Sequence, residues 1–327
     1  MTATDALRTG FRMARRYSRI GAIETIWRTA YIILIVLFLA IAFTFLAKDV
    51  TLSNLQIQAL RSRNPFWISL TLQHLLDEYG TEIRNLSLAV VAFSLALWWI
   101  FASLFRAGIF SLLARAFEAE KDTTPSGDWD QHLGSDVRRF FGRMGGLNAL
   151  YLLFTCLVFI LSIAVFEAAG QLGSLAGETL GPLVAMFCLV VGWTLLFLIW
   201  AILDLATDMG QIAITFEGRG LWDAIRRTAA VIQSRLGAVI GIGLAIFFLR
   251  LILMVIFGVV NMMTNFMFGR IWAPLVIPST VLLWFVQSVL LYYLYIVNSA
   301  GYACLFESEE KTSTSPLPVP GKILYEH

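Results

Sequence analysis

The stretch DLATDMGQIAITFEGRGLWDAIRRTAAVIQSRLG, residues 204–237, lies between two long apolar segments. It leaves the first segment through polar residues, passes a turn that contains Gly218 and Gly220, and enters the second segment as a basic amphipathic helix. Asp223, near the start of that helix, complements the positive end of the helix dipole. The stretch therefore predicts a linker at a membrane boundary, with its arginines at the level of the lipid headgroups.

The composition of the whole chain predicts a membrane around this linker. Of 327 residues, 58% are hydrophobic and 14% are charged, whereas a soluble domain averages about 25% charged residues. The 25 phenylalanines and 10 tryptophans suit lipid-facing surfaces and interfacial belts. The net charge of +2 is nearly neutral and suggests no nucleic-acid partner. We therefore predict an all-α integral membrane protein.

Six apolar runs are long enough to span a bilayer, because about 20 apolar residues cross its hydrocarbon core. They cover residues 27–46, 86–105, 147–166, 183–203, 238–259 and 276–297. Residues 1–306 are thus predicted to form one six-helix transmembrane domain. The segment 307–327 is charged and then rich in serine, threonine and proline, a composition that predicts a disordered tail.

Lysines and arginines are distributed unequally between the two ends of these spans. Eighteen of the 24 lie in segments on the same side as the N-terminus, five lie on the opposite side, and Arg250 lies inside a span. Basic residues concentrate on the cytoplasmic side of membrane proteins. The bias predicts that both termini are cytoplasmic, and we place the protein in a bacterial inner (cell) membrane.

A second basic amphipathic helix is predicted at residues 5–19, directly before the first span. Leu7, Phe11, Ala14 and Ser18 recur at helical spacing, and arginines recur one position along. Such a helix lies in the membrane interface, buries its apolar stripe and offers its arginines to lipid phosphates. The alternative is a solvated helix that only precedes the span.

The same order of elements occurs three times and indicates a threefold internal repeat of helix hairpins. Each unit has a basic interfacial helix, a span, an outer turn, a second span and a polar exit with Phe-Glu. The exits align at Gly108, Gly210 and Gly301, but their spacings differ by a few residues, so chance similarity is the alternative. The candidate headgroup ligands on the three interfacial helices are Arg8, Arg12, Arg15, Arg16, Arg19, Arg138, Arg139, Arg143, Arg226, Arg227 and Arg235.

Part of the opening stretch is similar to a known group of membrane proteins. The similarity is carried by Glu217, Gly218, Gly220, Ala224 and Arg227. These residues resemble the polytopic membrane regions beside some glycerophosphodiester phosphodiesterases and in related bacterial proteins. The catalytic barrel of those enzymes needs about 250 residues, and the longest stretch between spans here is shorter than 45. The resemblance therefore implies a membrane module without the hydrolase, and it implies no activity.

The sequence contains no constellation typical of an enzyme or a metal site. The three histidines, His74, His132 and His327, are isolated, and no HExxH, P-loop or GxSxG pattern occurs. The three cysteines have no metal-ligand spacing. We therefore predict no enzymatic activity, no metal and no cofactor.

Two acidic residues at the inner end of the fourth span are functional candidates. Asp204 and Asp208 share one face of a helix because they are four residues apart. One hypothesis makes them an ion or proton site. The other makes them carboxylates at the water boundary that pair with Arg226 or Arg227.

Arg250 is the third intramembrane candidate. It lies roughly 20 Å along the fifth span at about 1.5 Å per residue. An arginine at that depth usually pairs or lines a wet cavity, and Glu167 and Glu178 are the carboxylates that could pair with it. The alternative is that its long side chain snorkels to the outer headgroups.

Together these patterns predict a non-enzymatic membrane protein. We expect it to act as a scaffold or accessory subunit of a membrane complex, with anionic lipids and other membrane subunits as its partners. The competing hypothesis is a small-solute or ion transporter or channel that uses Arg250 and the acidic residues.

Overall fold

The fold is described from a computed structural model that covers residues 2–49, 54–62, 64–122, 133–271 and 273–313. These residues form helices and no strand, which confirms the prediction of an all-α chain. The helices are α1 (Ala3–Arg16), α2 (Ser18–Asp49), α3 (Asn54–Arg61), α4 (Pro65–Asp122), α5 (Leu133–Leu175), α6 (Gly177–Phe216), α7 (Leu221–Ser234), α8 (Leu236–Ile271) and α9 (Val276–Ser313). A short 3-10 turn, Ala273–Leu275, precedes α9.

Six of the described helices are long and apolar enough to cross a membrane, as predicted. The candidate spans are Ser18–Phe45, Asp77–Glu120, Leu133–Leu175, Thr179–Phe216, Leu236–Phe268 and Val276–Ser308. Their mean hydropathy lies between 1.8 and 2.8, and large apolar side chains along them are exposed. Because water would not tolerate such surfaces, the chain is a multi-pass integral membrane protein.

The last helix is longer than the sequence indicates. α9 continues to Ser313, so the first seven residues of the predicted tail at 307–327 are helical. Glutamate and lysine are good helix formers, and they extend the helix beyond the apolar run. Residues 314–327 lie outside the described part of the chain.

The chain divides into two compact units. One unit comprises Met1–Thr25 and Ser103–His327, and the other comprises Ile26–Ala102. The single domain proposed for residues 1–306 stays a prediction. The larger unit holds every residue of the buried charge cluster described below.

In the smaller unit, α2 and α4 pack through aromatic rings. Phe38 stacks on Phe93 with ring centroids 4.1 Å apart, and the Tyr31 hydroxyl donates to the Ser94 carbonyl at 3.4 Å. Asn64 caps α4 through a bond from the Phe66 amide at 3.0 Å.

The sequence indicates a helix stop near Gly80, but α4 is continuous there. It bends at Tyr79, where φ is −113° and ψ is 15°, and it continues to Asp122. A single residue outside helical φ/ψ is enough to redirect a helix without ending it. The predicted second span at 86–105 is thus part of one longer, bent helix.

In the larger unit, α1 packs on α9 and α8 through a face of small residues. Ala6, Gly10, Met13 and Ala14 are its buried residues. A methyl group placed on Gly10 would lie 2.6 Å from the Val297 carbonyl oxygen, so the two backbones are in close approach. Small residues drive such contacts between helices in membranes.

Leu7 and Phe11 of the predicted apolar stripe lie outside this packed face, since Phe11 is 37% exposed and Leu7 is half-buried. Their burial in the membrane interface stays a prediction, whereas Ala14 of the same stripe packs within the protein. The helix begins earlier than predicted, at Ala3, and ends at Arg16. Thr2 caps it: its hydroxyl donates to the Asp5 carboxylate at 2.6 Å, and this hydrogen bond lowers the pKa of Asp5.

The three interfacial helices are not equivalent in form. α1 and α7 are separate helices, each ended by a non-helical residue, Tyr17 and Arg235 respectively. The third, predicted from Asp136 to Arg143, is the first part of the continuous helix α5. The predicted break before the third span is therefore wrong, because every residue between Arg143 and Leu147 is helical.

The linker between the fourth and fifth spans connects α6 to α7 in three residues beyond the C-cap Glu217. Gly218 has a φ of +63°, a left-handed conformation that glycine adopts without the cost of a Cβ clash. Arg143 of α5 donates to the Gly218 carbonyl at 2.7 Å and to the Arg219 carbonyl at 3.2 Å. The turn is thus held from a second helix.

Candidate functional site

The three polar exits converge inside the larger unit. Phe117 at the end of the first exit meets Phe216 of the second, with ring centroids 5.6 Å apart. Arg227 binds Glu217 of the second exit at 3.1 Å, and its guanidinium lies 6.0 Å from the Phe306 ring of the third. The repeated Phe-Glu sequence therefore forms one contact region.

Each exit packs against an interfacial helix. Residues 103–122 contact the start of α5, where Arg115 forms an ion pair with Asp136. The end of α6 packs on α7, and the end of α9 packs on α1, which lies at the start of the chain. The threefold repeat of whole helix hairpins stays a prediction.

A buried ion pair lies where the exits meet. The Arg106 guanidinium is 3.7 Å from the Asp208 carboxylate, with side chains only 8% and 5% exposed. The Tyr295 hydroxyl donates to the same carboxylate at 3.0 Å, and its ring centroid lies 5.5 Å from the guanidinium carbon. The three groups come from α4, α6 and α9, so the pair joins three helices within the larger unit.

The positions of these residues follow the register of the repeat. Arg106 precedes Gly108 by two residues, Asp208 precedes Gly210 by two, and Ser299 precedes Gly301 by two. All three are buried. Two of these aligned positions carry opposite charges, and the structure brings them together as the Arg106–Asp208 pair.

Further charges surround this pair. Glu24 is fully buried, and its charge acts on Arg106 together with that of Asp204. Arg250 acts electrostatically on Asp208. We call the set of Arg106, Asp208, Tyr295, Glu24, Asp204 and Arg250 the central charge cluster.

The structure brings together the three intramembrane candidates, but with partners that the sequence did not indicate. Asp204, Asp208 and Arg250 all belong to the central charge cluster. The predicted partners of the aspartates were Arg226 and Arg227. In the structure Arg226 is exposed and Arg227 binds Glu217, whereas Asp208 binds Arg106.

Arg250 was predicted to pair with an outer carboxylate or to snorkel. Within the described residues, the charge of Arg250 interacts with the Asp208 carboxylate and the Tyr302 hydroxyl, both in the larger unit. Glu167 is exposed, and the side chain of Glu178 lies outside the described part. Within the described residues the buried Nε of Arg250 has no hydrogen-bond partner. Among the described residues Arg250 forms no ion pair, and its charge interacts with that of Asp208 only at longer range. Pairing and snorkelling both stay predictions.

A neutral polar network accompanies the charges. The Asn148 amide donates to the Ser103 hydroxyl at 3.2 Å, and the Gln211 amide donates to the Asn148 oxygen at 3.0 Å. All three side chains are fully buried. The sequence signals were an amide, Asn148, in the third span and Gln211 directly after Gly210, whereas nothing in the sequence pointed to Ser103.

The predicted headgroup ligands separate into two groups. Exposed arginines are Arg8, Arg12, Arg15, Arg16, Arg19, Arg138, Arg139 and Arg226, whereas Arg143, Arg227 and Arg235 are half-buried. Arg143 and Arg227 already bind groups of the protein, as described above. Arg12 forms an ion pair with Glu120 at 3.2 Å. The first group, which includes the α1 arginines, is therefore the one that a lipid can reach.

The remaining candidate ligands do not assemble. His74 lies 3.6 Å from Glu78 on its own helix, and His132 and His327 fall outside the described residues. Among the residues that the structure covers, no group of three or more His, Cys, Asp or Glu side chains could hold a metal ion. The central charge cluster can fix helices to one another, and it places ionisable groups inside the spans.

Comparison with known proteins adds no further constraint. No protein-family description, no curated protein and no solved structure matches the chain. The resemblance to the membrane regions beside glycerophosphodiester phosphodiesterases stays a prediction.

Proposed function

We propose that this chain is a non-enzymatic integral membrane protein that serves as a scaffold or accessory subunit of a membrane complex. It contacts anionic lipids through the arginines of α1 and the neighbouring interfacial helices. In this proposal both termini are cytoplasmic and the membrane is the bacterial inner membrane.

One observation carries the lipid contact: the small-residue face of α1 is occupied by the protein. Because Ala6, Gly10 and Met13 are buried against α8 and α9, the arginines on the other face cannot turn inward. Juxtamembrane arginines contribute about 1 kcal/mol each toward an anionic lipid surface. The scaffold role is supported by two ion pairs within the protein, Arg106 with Asp208 and Arg227 with Glu217. These pairs fix the exits to neighbouring helices.

A purification from native membranes in mild detergent tests both parts of the proposal. We expect the retained phospholipid to be richer in anionic headgroups than the bulk membrane. The α1 arginines favour lipids whose phosphate is not balanced by a positive group in the same headgroup. We also expect a second protein at a fixed molar ratio. Intact-complex mass spectrometry and headgroup analysis measure the two quantities. A solitary monomer carrying lipid of bulk composition would contradict the proposal.

A second candidate function, a transporter or channel for a small solute or ion, is favoured by the central charge cluster. Ionisable residues inside spans often mark pathways. Asp208→Asn removes the charge and keeps the shape, so it is the variant of choice. If this candidate is right, flux into proteoliposomes falls at least about tenfold in the variant, as for loss of a buried charge contact. Wild-type vesicles without flux above protein-free vesicles would exclude it for the solutes tested.

A further inference from the structure

A cleft of about 640 Å³ lies at the junction of α1 and α9. It is lined by Phe11, Arg12, Arg15 and Arg16 of α1 and by Tyr293 of α9. Three guanidinium groups and two aromatic rings therefore share one opening. None of these residues belongs to the central charge cluster.

The charge of the cleft is only partly neutralised by the protein. Arg12 binds Glu120 at 3.2 Å. Within the described residues Arg15 and Arg16 form no ion pair, and Arg16 lies over the Tyr17 ring at 5.8 Å. Both arginines are exposed. The opening thus holds two exposed guanidinium groups that are available to an anion from outside the chain, and such groups bind phosphate oxygens in bidentate geometry.

The walls of the cleft are aromatic and belong to elements at the membrane. The Phe11 and Tyr293 rings lie 6.4 Å apart at an interplanar angle of 46°. Tyr293 is part of the candidate span Val276–Ser308. Aromatic side chains are typical of the headgroup region, where one part of a ligand is apolar and the other is wet. A soluble anion would use the arginines but not these walls.

We propose that the cleft binds the phosphate headgroup of one anionic phospholipid. Arg15 and Arg16 contact the phosphate, and Phe11 and Tyr293 pack on the glycerol and the first carbons of the acyl chains. The inference rests on the proposed lipid contact and adds to it a discrete, saturable site. A diffuse attraction of the whole arginine surface would have no such site.

The test compares two variants of the full-length protein that lose the same charge. Arg15→Gln/Arg16→Gln removes two arginines of the cleft, and Arg8→Gln/Arg19→Gln removes two exposed arginines outside it. Each is titrated in detergent with phosphatidylglycerol and, separately, with phosphatidylcholine, and bound lipid is counted by native mass spectrometry. Wild-type protein is expected to saturate at one tightly bound phosphatidylglycerol per chain.

We expect the cleft variant to bind phosphatidylglycerol about thirtyfold more weakly, from the contribution of two arginines near an anionic lipid. The control variant should lose less than about fivefold, as exposed charges do. Arg15→Lys/Arg16→Lys keeps the charge and the fold but loses the planar fork. Weaker binding in the lysine variant supports the site, and unchanged binding overturns it.

The remaining outcomes separate this site from the proposed function. Equal weakening in the cleft and control variants overturns the cleft and leaves the general lipid contact intact. Wild-type protein without preference for phosphatidylglycerol over phosphatidylcholine overturns both. Glycerol phosphate without acyl chains, added as a competitor, should displace the lipid poorly. Displacement at equal concentrations would show that a free phosphate is the ligand and would overturn the lipid assignment.

Discussion

Asp208→Leu is expected to destabilise the protein by about 3–5 kcal/mol, the usual cost of leaving a buried charge without its partner. The substitution removes the carboxylate that lies 3.7 Å from the Arg106 guanidinium. It also removes the acceptor of the Tyr295 hydroxyl. Arg106→Leu should have a similar cost, because it leaves Asp208 buried beside Asp204. The readout is thermal unfolding in detergent, with the fraction of monodisperse protein as a second measure.

The double variant Arg106→Leu/Asp208→Leu distinguishes an ion-pair effect from a packing effect. If the pair joins the three helices by charge, the double variant should be more stable than either single variant, because no unpaired charge remains at these two positions. Glu167→Leu is the matched control, since its carboxylate is exposed on α5, and it should change stability by less than about 0.5 kcal/mol. Additive losses in the double variant would contradict a charge-based role.

The importance of Arg106 could not be read from its own surroundings in the sequence. It follows an apolar run and precedes other basic residues, so it resembles an arginine that marks the inner end of a span. Its burial results from packing of the exits within the larger unit, which places it opposite Asp208. Alignment of Gly108 with Gly210 puts both residues at the same offset. That shared offset was visible in the sequence, but only tertiary packing makes it a contact.

The six spans were predictable for a different reason. Bilayer thickness sets the length of an apolar run, and this constraint acts on every span separately. The Asn64 cap was predictable because capping is also local. Helix ends and bends were less so: α4 passes Gly80 with only a bend at Tyr79, and α5 has no joint before its span. Tertiary packing decides these features, and no local pattern reports it.

Hydrophobicity alone does not predict which face of α1 packs on the protein. Leu7 and Phe11 are its larger apolar residues near the start, yet the face buried against α8 and α9 runs through Ala6 and Gly10. In lipid, apolar side chains gain little by leaving the membrane, so close backbone contact decides the interface. Phe11 therefore lies on the open side of α1, where it lines the cleft together with Tyr293.

Gly10→Ala should therefore detach α1 from the bundle, although it adds only one methyl group. That group would lie 2.6 Å from the Val297 carbonyl oxygen and 3.3 Å from the Gly301 amide nitrogen. Both are backbone atoms, so neither can rotate away. Overpacking of this kind costs about 1–3 kcal/mol. Thermal unfolding and hydrogen exchange of the α1 amides measure the loss, with faster exchange expected over residues 3–16.

Gly142→Ala is the matched control, because a methyl group there meets nothing within 4 Å. In an open helical position alanine is more favourable than glycine by about 0.5–1 kcal/mol, so the two variants should change stability in opposite directions. Gly10→Ala should also weaken phosphatidylglycerol binding although every arginine is retained, since the cleft needs Tyr293 of α9 opposite Phe11 of α1. If lipid binding survives while α1 exchanges freely, the arginines act without the cleft. If α1 stays protected from exchange, the close contact at Gly10 is not what holds α1 against α9.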